Sequence, residues 1–257
     1  MEYLLSCHTD AGRVKMVNQD SLLLQSGCFN GEPIVLAVLC DGMGGLEKGE
    51  VASASVIRRF ARWFKQELPA LLRKGQNKLG AGVLSAWTAI LEQEAEAISA
   101  YGRRYGITMG TTATAMLFVG SVYYIVHVGD GRVYEVGGGI RQLTRDQTLA
   151  EREVEQGRMT KREAESDNRR NILLQSVGAG DRPVPVFLRG DVREGGVYLL
   201  CSDGFRHKVS AKELRQAFHP SAMTEETNMR AACVRMTELD KARGETDNIS
   251  VIAVKAV

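Results

Sequence analysis

With 257 residues, the chain is long enough to bury a substantial core in a single domain. Its hydrophobic fraction of 44%, charged fraction of 25% and net charge of +2 are ordinary for a globular protein and give no reason to expect nucleic-acid or membrane binding. No apolar run approaches the roughly 20 residues of a membrane-spanning helix. The first residues lack the basic region of a signal peptide, so we expect a cytoplasmic protein.

The five cysteines form no C-x-x-C pair. Cys40 and Cys201 each lie in an apolar run shortly before an aspartate, where buried small hydrophobic side chains are expected. We therefore expect no structural disulfides, as is usual in a reducing compartment.

The first part of the chain predicts short strands followed by two long helices. Strands are expected at about 1–9 and 21–26, and the Val- and Leu-rich run at 36–40 predicts a buried strand. Apolar residues at helical spacing predict helices at about 47–67 and 78–101. Neither helix carries a concentration of reactive side chains, so the candidate site is expected elsewhere.

From Gly110 onward, β-rich segments alternate with glycine turns. The segments at 111–119, 122–128 and 132–136 predict an antiparallel meander. A charged, helix-compatible region then extends to about residue 168, as a solvated helix pair or a mobile lid. The remaining predicted elements are strands at 184–190, 196–202 and 249–254 and a helix at about 224–240.

Five aspartates stand at the edges of strand-like segments: Asp20, Asp41, Asp130, Asp203 and Asp247. Any one of them could be a solvated turn residue, but five invite a common explanation. Oxygen ligands without histidine or cysteine partners suit magnesium or manganese rather than zinc. Crowded carboxylates would repel one another unless divalent ions neutralised them. Two-metal hydrolysis of a phosphate ester matches this pattern, and a calcium-stabilised fold is the alternative left open.

The stretch around Asp41 carries this hypothesis most directly. An apolar strand ends there in Asp41-Gly42-Met43-Gly44-Gly45, and glycines allow the backbone to approach a ligand closely. We expect Asp41 and the Gly42 carbonyl to bind a hard metal ion. Cys201-Ser202-Asp203-Gly204 repeats the arrangement, so the two strand ends are expected to meet at one site.

Seven short motifs follow one another along nearly the whole chain: Thr9-Asp10-x-Gly12 through Asn18-Gln19-Asp20-Ser21, Asp41-Gly42-Met43-Gly44-Gly45, Gly110-Thr111-Thr112, Val128-Gly129-Asp130-x-Arg132, Leu143-Thr144-x-Asp146, Cys201-Ser202-Asp203-Gly204 and Asp247-Asn248-Ile249-Ser250. This ordered set resembles the metal-dependent serine/threonine protein phosphatases of the type 2C family, its bacterial branch in particular. The resemblance implies an α+β fold: a four-layer α/β/β/α sandwich of two mainly antiparallel sheets flanked by helices. It also implies a single catalytic domain over 1–257, with a flap at about 149–180.

The resemblance further implies a centre of two Mn²⁺ or Mg²⁺ ions. Asp41 would bridge both ions, and Gly42 would ligate one through its carbonyl. Asp203 and Asp247 would complete the shell of the first ion, and Asp20 would act mostly through metal-bound water. A hydroxide activated by the metals would attack phosphoserine or phosphothreonine directly, without a phosphoenzyme.

Other site residues are also implied by the resemblance. Asp130, with Asp203, would hold a third, weaker ion. Lys15 stands where the family often has a phosphate-binding arginine; it keeps the charge but not the bidentate geometry, and Arg13 could compensate. Met43 replaces a histidine proposed as general acid in eukaryotic relatives, so the leaving oxygen would take its proton from metal-bound water.

Three more positions depart from the family pattern, namely Gly131, Gln147 and Gln175, and are expected to tune structure or flap docking. The implied partners are phosphorylated proteins and a counteracting serine/threonine kinase, with the enzyme a monomer and neither nucleic acid nor membrane as a partner. Two alternatives stay open: a catalytically weak metal-binding module that recognises phosphoproteins, and a phosphatase of small metabolites.

Overall fold

A computed structural model describes residues 1–43 and 48–257 of the chain. Gly44 and Gly45 of the predicted glycine turn, and the predicted helix start at residue 47, lie outside the described residues. The strands are β1 (Tyr3–Asp10), β2 (Asp20–Phe29), β3 (Glu32–Asp41), β4 (Ala113–Val119), β5 (Val122–Val128), β6 (Arg132–Val136), β7 (Ile140–Gln142), β8 (Val186–Asp191), β9 (Val197–Cys201) and β10 (Ile249–Ala256).

The described helices comprise three long ones and several short ones. They are α1 (Gly49–Gln66), α2 (Leu68–Arg73), α3 (Gln76–Tyr105), α4 (Leu149–Glu155), α5 (Lys161–Ser166), α6 (Ala211–Ala217) and α7 (Glu226–Ala242), with a 3₁₀ turn at Pro220–Ala222. Within the described ranges, no helix is long and apolar enough to cross a membrane.

The strands form two five-stranded antiparallel sheets, in the orders β1-β10-β9-β6-β7 and β2-β3-β4-β5-β8. One hydrophobic cluster lies between the sheets, and each sheet packs helices on its other face: α1 and α3 on the second sheet, α6 and α7 on the first. These layers confirm the expected α/β/β/α sandwich.

The position of strand β3 explains why its apolar residues are consecutive and do not alternate with polar ones. Leu36 and Val38 pack toward α1 and α3, whereas Val35 and Leu39 pack into the cluster between the sheets. A strand covered on both faces needs apolar side chains at consecutive positions. Each such side chain contributes about 1.5–3 kcal/mol when fully buried, so β3 holds its last residue, Asp41, at a fixed place.

The predicted meander is correct for two strands and wrong for the third. Strands β4 and β5 form the expected hairpin, with Gly120 at a φ of 56° in its turn. Strand β6 leaves that sheet and pairs with β9 and β7 in the other one. The crossing occurs at Gly129, whose φ of 107° is accessible mainly to glycine, so the same glycine turn that suggested a hairpin redirects the chain instead.

The sequence analysis did not predict β7, α2 or α6. Each has seven residues or fewer, which is too short for an apolar period to stand out. The charged region at 149–166 forms the short helices α4 and α5, whose N-termini are capped by Thr148 and Thr160. The other predicted elements are present with shifts of a few residues at their ends.

Candidate metal centre

The candidate site begins with two aspartates at the joined ends of β2 and β3. Asp20 is the first residue of β2, Asp41 is the last of β3, and the two are directly paired in the antiparallel register. Asp20 is only 8% exposed, and neither of its carboxylate oxygens has a hydrogen-bond partner among the described residues. A buried carboxylate without hydrogen bonds is costly, which marks the place as one suited to a bound cation.

The backbone around Asp41 is braced from the start of β4. The Asp41 N–H donates to Thr112 Oγ1 at 3.0 Å, and the Asp41 carbonyl accepts from the Thr112 N–H at 2.8 Å and from the Thr111 hydroxyl at 2.9 Å. Gly42 follows in a close approach to Gln19, since a Cβ at Gly42 would lie 2.6 Å from the Gln19 carbonyl oxygen. This explains why glycine follows the aspartate.

The other sheet contributes Asp203 and Asp247. Asp203 lies just after β9 and Asp247 just before β10, and these two strands are antiparallel neighbours, so the two acids lie at the same end of the sheet. The Ser202 N–H donates to the Ser250 carbonyl at 3.1 Å and extends the pairing toward Asp203. One oxygen of Asp203, Oδ1, is buried and without a partner among the described residues.

The electrostatics indicate that these acids converge. Burial raises the pKa of Asp41 well above its usual range, and the charges of Asp20, Asp203, Asp130 and Asp247 raise it further. Burial, followed by the charges of Asp203 and Asp247, raises the pKa of Asp20 to about 7, although the nearby Ser250 hydroxyl lowers it. Strands β3 and β9, whose ends repeat the Asp-Gly arrangement, are in contact, and Asp203 lies close enough to influence Asp41 electrostatically.

The acids are not arranged around an ion position as they stand. No group of three or more His, Cys, Asp or Glu side chains in the described part of the chain forms a ready metal site. The donor set nevertheless fits a hard divalent ion, because Asp20 and Asp203 have buried unpaired oxygens and belong to a group of carboxylates that repel one another. An ion would relieve that repulsion once the side chains turn toward it.

The loop at 11–19 brings a cation to this cluster. The Lys15 ammonium lies 3.2 Å from Asp247 Oδ1, with about a third of the side chain exposed. Asn248 anchors the loop: its Nδ2 donates to the carbonyls of Ala11 and Val17, and its Oδ1 accepts from the Gln19 N–H. These three bonds anchor the loop that carries Lys15 on both sides of it.

Arg13 points elsewhere. Its guanidinium donates to the Lys241 carbonyl at 3.3 Å, near the end of α7. Of the two predicted phosphate-binding residues, the structure places Lys15, and not Arg13, against an acid of the cluster.

The predicted third-ion ligand has a different neighbour. Asp130 is 5% exposed, and Nη2 of Arg206 lies 3.6 Å from its Oδ2 and donates to its carbonyl at 3.1 Å. Burial and the charge of Asp203 raise the pKa of Asp130 to about 7, against the lowering effect of Arg206. Gln147 fixes this turn, because its side-chain oxygen accepts from the Gly129 N–H at 2.7 Å.

Sequence reasoning gave no role to Arg206, His207 or Glu245. His207 lies between two acids, with Nε2 3.6 Å from Asp203 Oδ2 and Nδ1 3.5 Å from Glu245 Oε2. Burial opposes ionisation of Glu245, but His207 and backbone N–H groups lower its pKa to about 2. The sequence feature that points to His207 and Glu245 is their closeness to the predicted metal ligands: His207 follows Asp203 by four residues, and Glu245 precedes Asp247 by two.

Comparison with known proteins gives the family. Residues 9–242 match the family model for protein phosphatase 2C. The chain belongs to the protein phosphatase 2C family. This confirms the resemblance inferred from the seven motifs and accounts for their order along the chain.

Relatives of this 2C-family chain are bacterial. The serine/threonine protein phosphatase PstP of Mycobacterium tuberculosis is 32% identical over 253 residues, which are 98% of this chain and 45% of PstP. The chain thus spans about half the length of that relative. The serine/threonine phosphatase stp of Listeria monocytogenes is 31% identical, with 96% of this chain and 93% of stp aligned.

The fold also matches solved members of the family. The crystal structure of M. tuberculosis PstP superposes with a TM-score of 0.80 at 31% identity, covering 99% of this chain and 98% of the other. A second structure, of the PstP catalytic domain in complex with two manganese ions, gives a TM-score of 0.77 at 30% identity and 99% coverage of both chains.

Proposed function

We propose that this protein hydrolyses phosphoserine and phosphothreonine in proteins with the help of two Mn²⁺ or Mg²⁺ ions. The observation that carries the proposal is the meeting of Asp20 and Asp41 from one sheet with Asp203 and Asp247 from the other, as a cluster of repelling carboxylates of which Asp20 and Asp203 are buried. Membership of the 2C family, relatives named serine/threonine phosphatases and the manganese complex of PstP support it.

The ligands follow from the positions of the acids. Asp41, the Gly42 carbonyl, Asp203 and Asp247 would hold the two ions, and Asp20 would act through water. When bound, a pair of divalent ions supplies a nucleophile at neutral pH and stabilises the charge of an in-line displacement at phosphorus.

The chain's own residues orient the substrate and the ligands. Lys15 carries the positive charge at the rim of the cluster and would contact the substrate phosphate as a point charge rather than through a bidentate fork. Thr111 and Thr112 hold the Asp41 backbone in place. Met43 has no ionisable group, so the leaving oxygen would take its proton from water.

We also propose the finer features implied by the sequence. The protein would act as a monomer in the cytoplasm, in signalling, on phosphoproteins made by a serine/threonine kinase. The segment at about 149–180 would form a flap beside the site within a single catalytic domain. Its short, charged helices α4 and α5 support that role, since they carry few buried residues.

The test is manganese-dependent phosphate release from a phosphothreonine peptide and from p-nitrophenyl phosphate. Replacing Asp41 or Asp203 with alanine should lower turnover by about a hundredfold or more, because a lost ligand disrupts both nucleophile and template. Manganese uptake without phosphate release would favour the phosphoprotein-binding module. Turnover of small phosphate esters alone would favour a metabolite phosphatase. Normal activity of metal-free Asp41→Ala protein would contradict any metal-dependent mechanism.

A further inference from the structure

We propose that Arg206 takes the place of a third metal ion beside Asp130, so that this protein binds two metal ions and uses its own guanidinium where a further cation would stand. The inference rests on the proposed two-ion function. It replaces the expectation that Asp130 and Asp203 hold a third ion.

The guanidinium group of Arg206 occupies the position that a metal ion would take among these oxygen ligands. A single nitrogen, Arg206 Nη2, faces three oxygens: the Asp130 carbonyl at 3.1 Å, Asp130 Oδ2 at 3.6 Å and Asp146 Oδ2 at 3.2 Å. The side chains of Arg206, Asp130 and Asp146 are 10%, 8% and 9% exposed, so solvent screens these contacts little. On the Asp130 side, the oxygens that would attract an ion therefore already face a fixed positive charge.

The position of Arg206 is held at both ends. Its backbone N–H donates to the Asp203 carbonyl at 3.0 Å, in the turn that follows β9. At the other end, Asp146 is itself fixed by a bidentate pair with Arg132, with bonds of 2.8 and 2.7 Å. With its backbone fixed, the guanidinium cannot leave Asp130 without also giving up its contact with Asp146.

This group matches acids with bases without a metal. It contains two carboxyl groups, those of Asp130 and Asp146, and two guanidinium groups, those of Arg132 and Arg206. A divalent ion next to Asp130 would add positive charge close to a guanidinium and would be repelled. The main cluster differs, because among the described lysine and arginine side chains only Lys15 forms an ion pair with Asp20, Asp41, Asp203 or Asp247.

The experiment counts manganese ions on metal-free protein titrated with Mn²⁺, with free Mn²⁺ measured by electron paramagnetic resonance. The wild type should saturate at two ions, and Asp130→Asn should leave that number unchanged. Arg206→Met keeps the length of the side chain and removes its charge. It should raise the affinity for a third Mn²⁺ ion by about tenfold or more, because one like charge is gone. Adding Asp130→Asn to Arg206→Met should abolish that third site.

Arg145→Met is the matched control. Arg145 is an arginine near the same end of the sheet, but it pairs with Glu151 and Glu155 and not with Asp130, so its variant should still bind two ions. Folding of each variant is checked by circular dichroism. Should Arg206→Met fail to fold, Arg206→Gln replaces it, and the comparison of wild type with Asp130→Asn still decides the question.

Two results would overturn the proposal: a third ion on the wild type that Asp130→Asn removes, or a folded Arg206→Met protein that still saturates at two ions. Either would leave the proposed phosphatase function intact. Failure of that function would look different, as a wild type that takes up no manganese or releases no phosphate.

Discussion

Asp20 and Asp41 lie directly opposite each other where β2 and β3 meet, and the charge of Asp20 adds to the effect of burial in raising the pKa of Asp41. Like charges directly opposite in a strand pair destabilise a sheet. This pair of acids therefore lowers the stability of the folded protein. Such a destabilising pair is expected at a ligand-binding site.

Replacing Asp41 with asparagine should stabilise the metal-free protein while it removes function. Relief of the repulsion should raise the free energy of unfolding by about 1–2 kcal/mol, which corresponds to a melting temperature about 2–8 °C higher in EDTA. Manganese should then add no stability, and turnover should fall by about a hundredfold. Asp191→Asn, at an exposed end of β8, is the control and should change neither quantity. A less stable Asp41→Asn protein would contradict the repulsion.

The gain in stability from manganese should depend on pH. The raised pKa of Asp20, about 7, means that the folded metal-free protein holds a proton that the unfolded chain releases near pH 4. That acid therefore lowers the stability of the metal-free protein as pH rises through this window. Manganese must displace such protons, so it should raise the melting temperature more at about pH 8 than at about pH 6.

This increment compares the same protein with and without metal at one pH, so other titrating groups cancel. His127 is one such group: burial lowers its pKa to about 4, so the fold weakens as pH falls below the usual pKa of histidine. An equal manganese increment at both pH values would show that the acids are not protonated in the metal-free state.

Lys15 should contribute to substrate binding more than to turnover. Lys15→Met should raise KM by about tenfold with a smaller change in kcat, because it removes a charge from the phosphate site and no metal ligand. Arg13→Met is the comparison and should have a smaller effect, since Arg13 binds the Lys241 carbonyl. A larger effect for Arg13→Met would place Arg13, rather than Lys15, at the phosphate.

His207 should position Asp203. The imidazole lies between Asp203 and Glu245, so His207→Gln should weaken manganese binding by about tenfold or more, as loss of such outer contacts does in other metal sites. Isothermal titration with Mn²⁺ measures the effect, and the exposed His219 provides the control variant His219→Gln. Unchanged manganese affinity in His207→Gln would rule out this positioning role.

Much of the fold could be predicted because local patterns carry it. The apolar run of β3 and the glycine turn between β4 and β5 indicate a buried strand and a hairpin before any contact is known. The sequence pattern predicts the wrong sheet for strand β6, because the turn at Gly129 is compatible with both a hairpin and a crossing. Which one forms depends on the pairing of β6 with β9, about 65 residues further along the chain.

The sequence by itself determined the acids of the site, since Asp20, Asp41, Asp203 and Asp247 each adjoin a recognisable strand within a family motif. Only the tertiary structure decided what surrounds Asp130. Arg206 is 76 residues away in sequence, and its guanidinium reaches Asp130 because β9 and β6 are neighbours in one sheet. A sequence motif describes only residues that are close together in the chain. The contact between Arg206 and Asp130 forms because distant segments pack against each other, and such a contact determines whether a carboxylate is available to bind a metal.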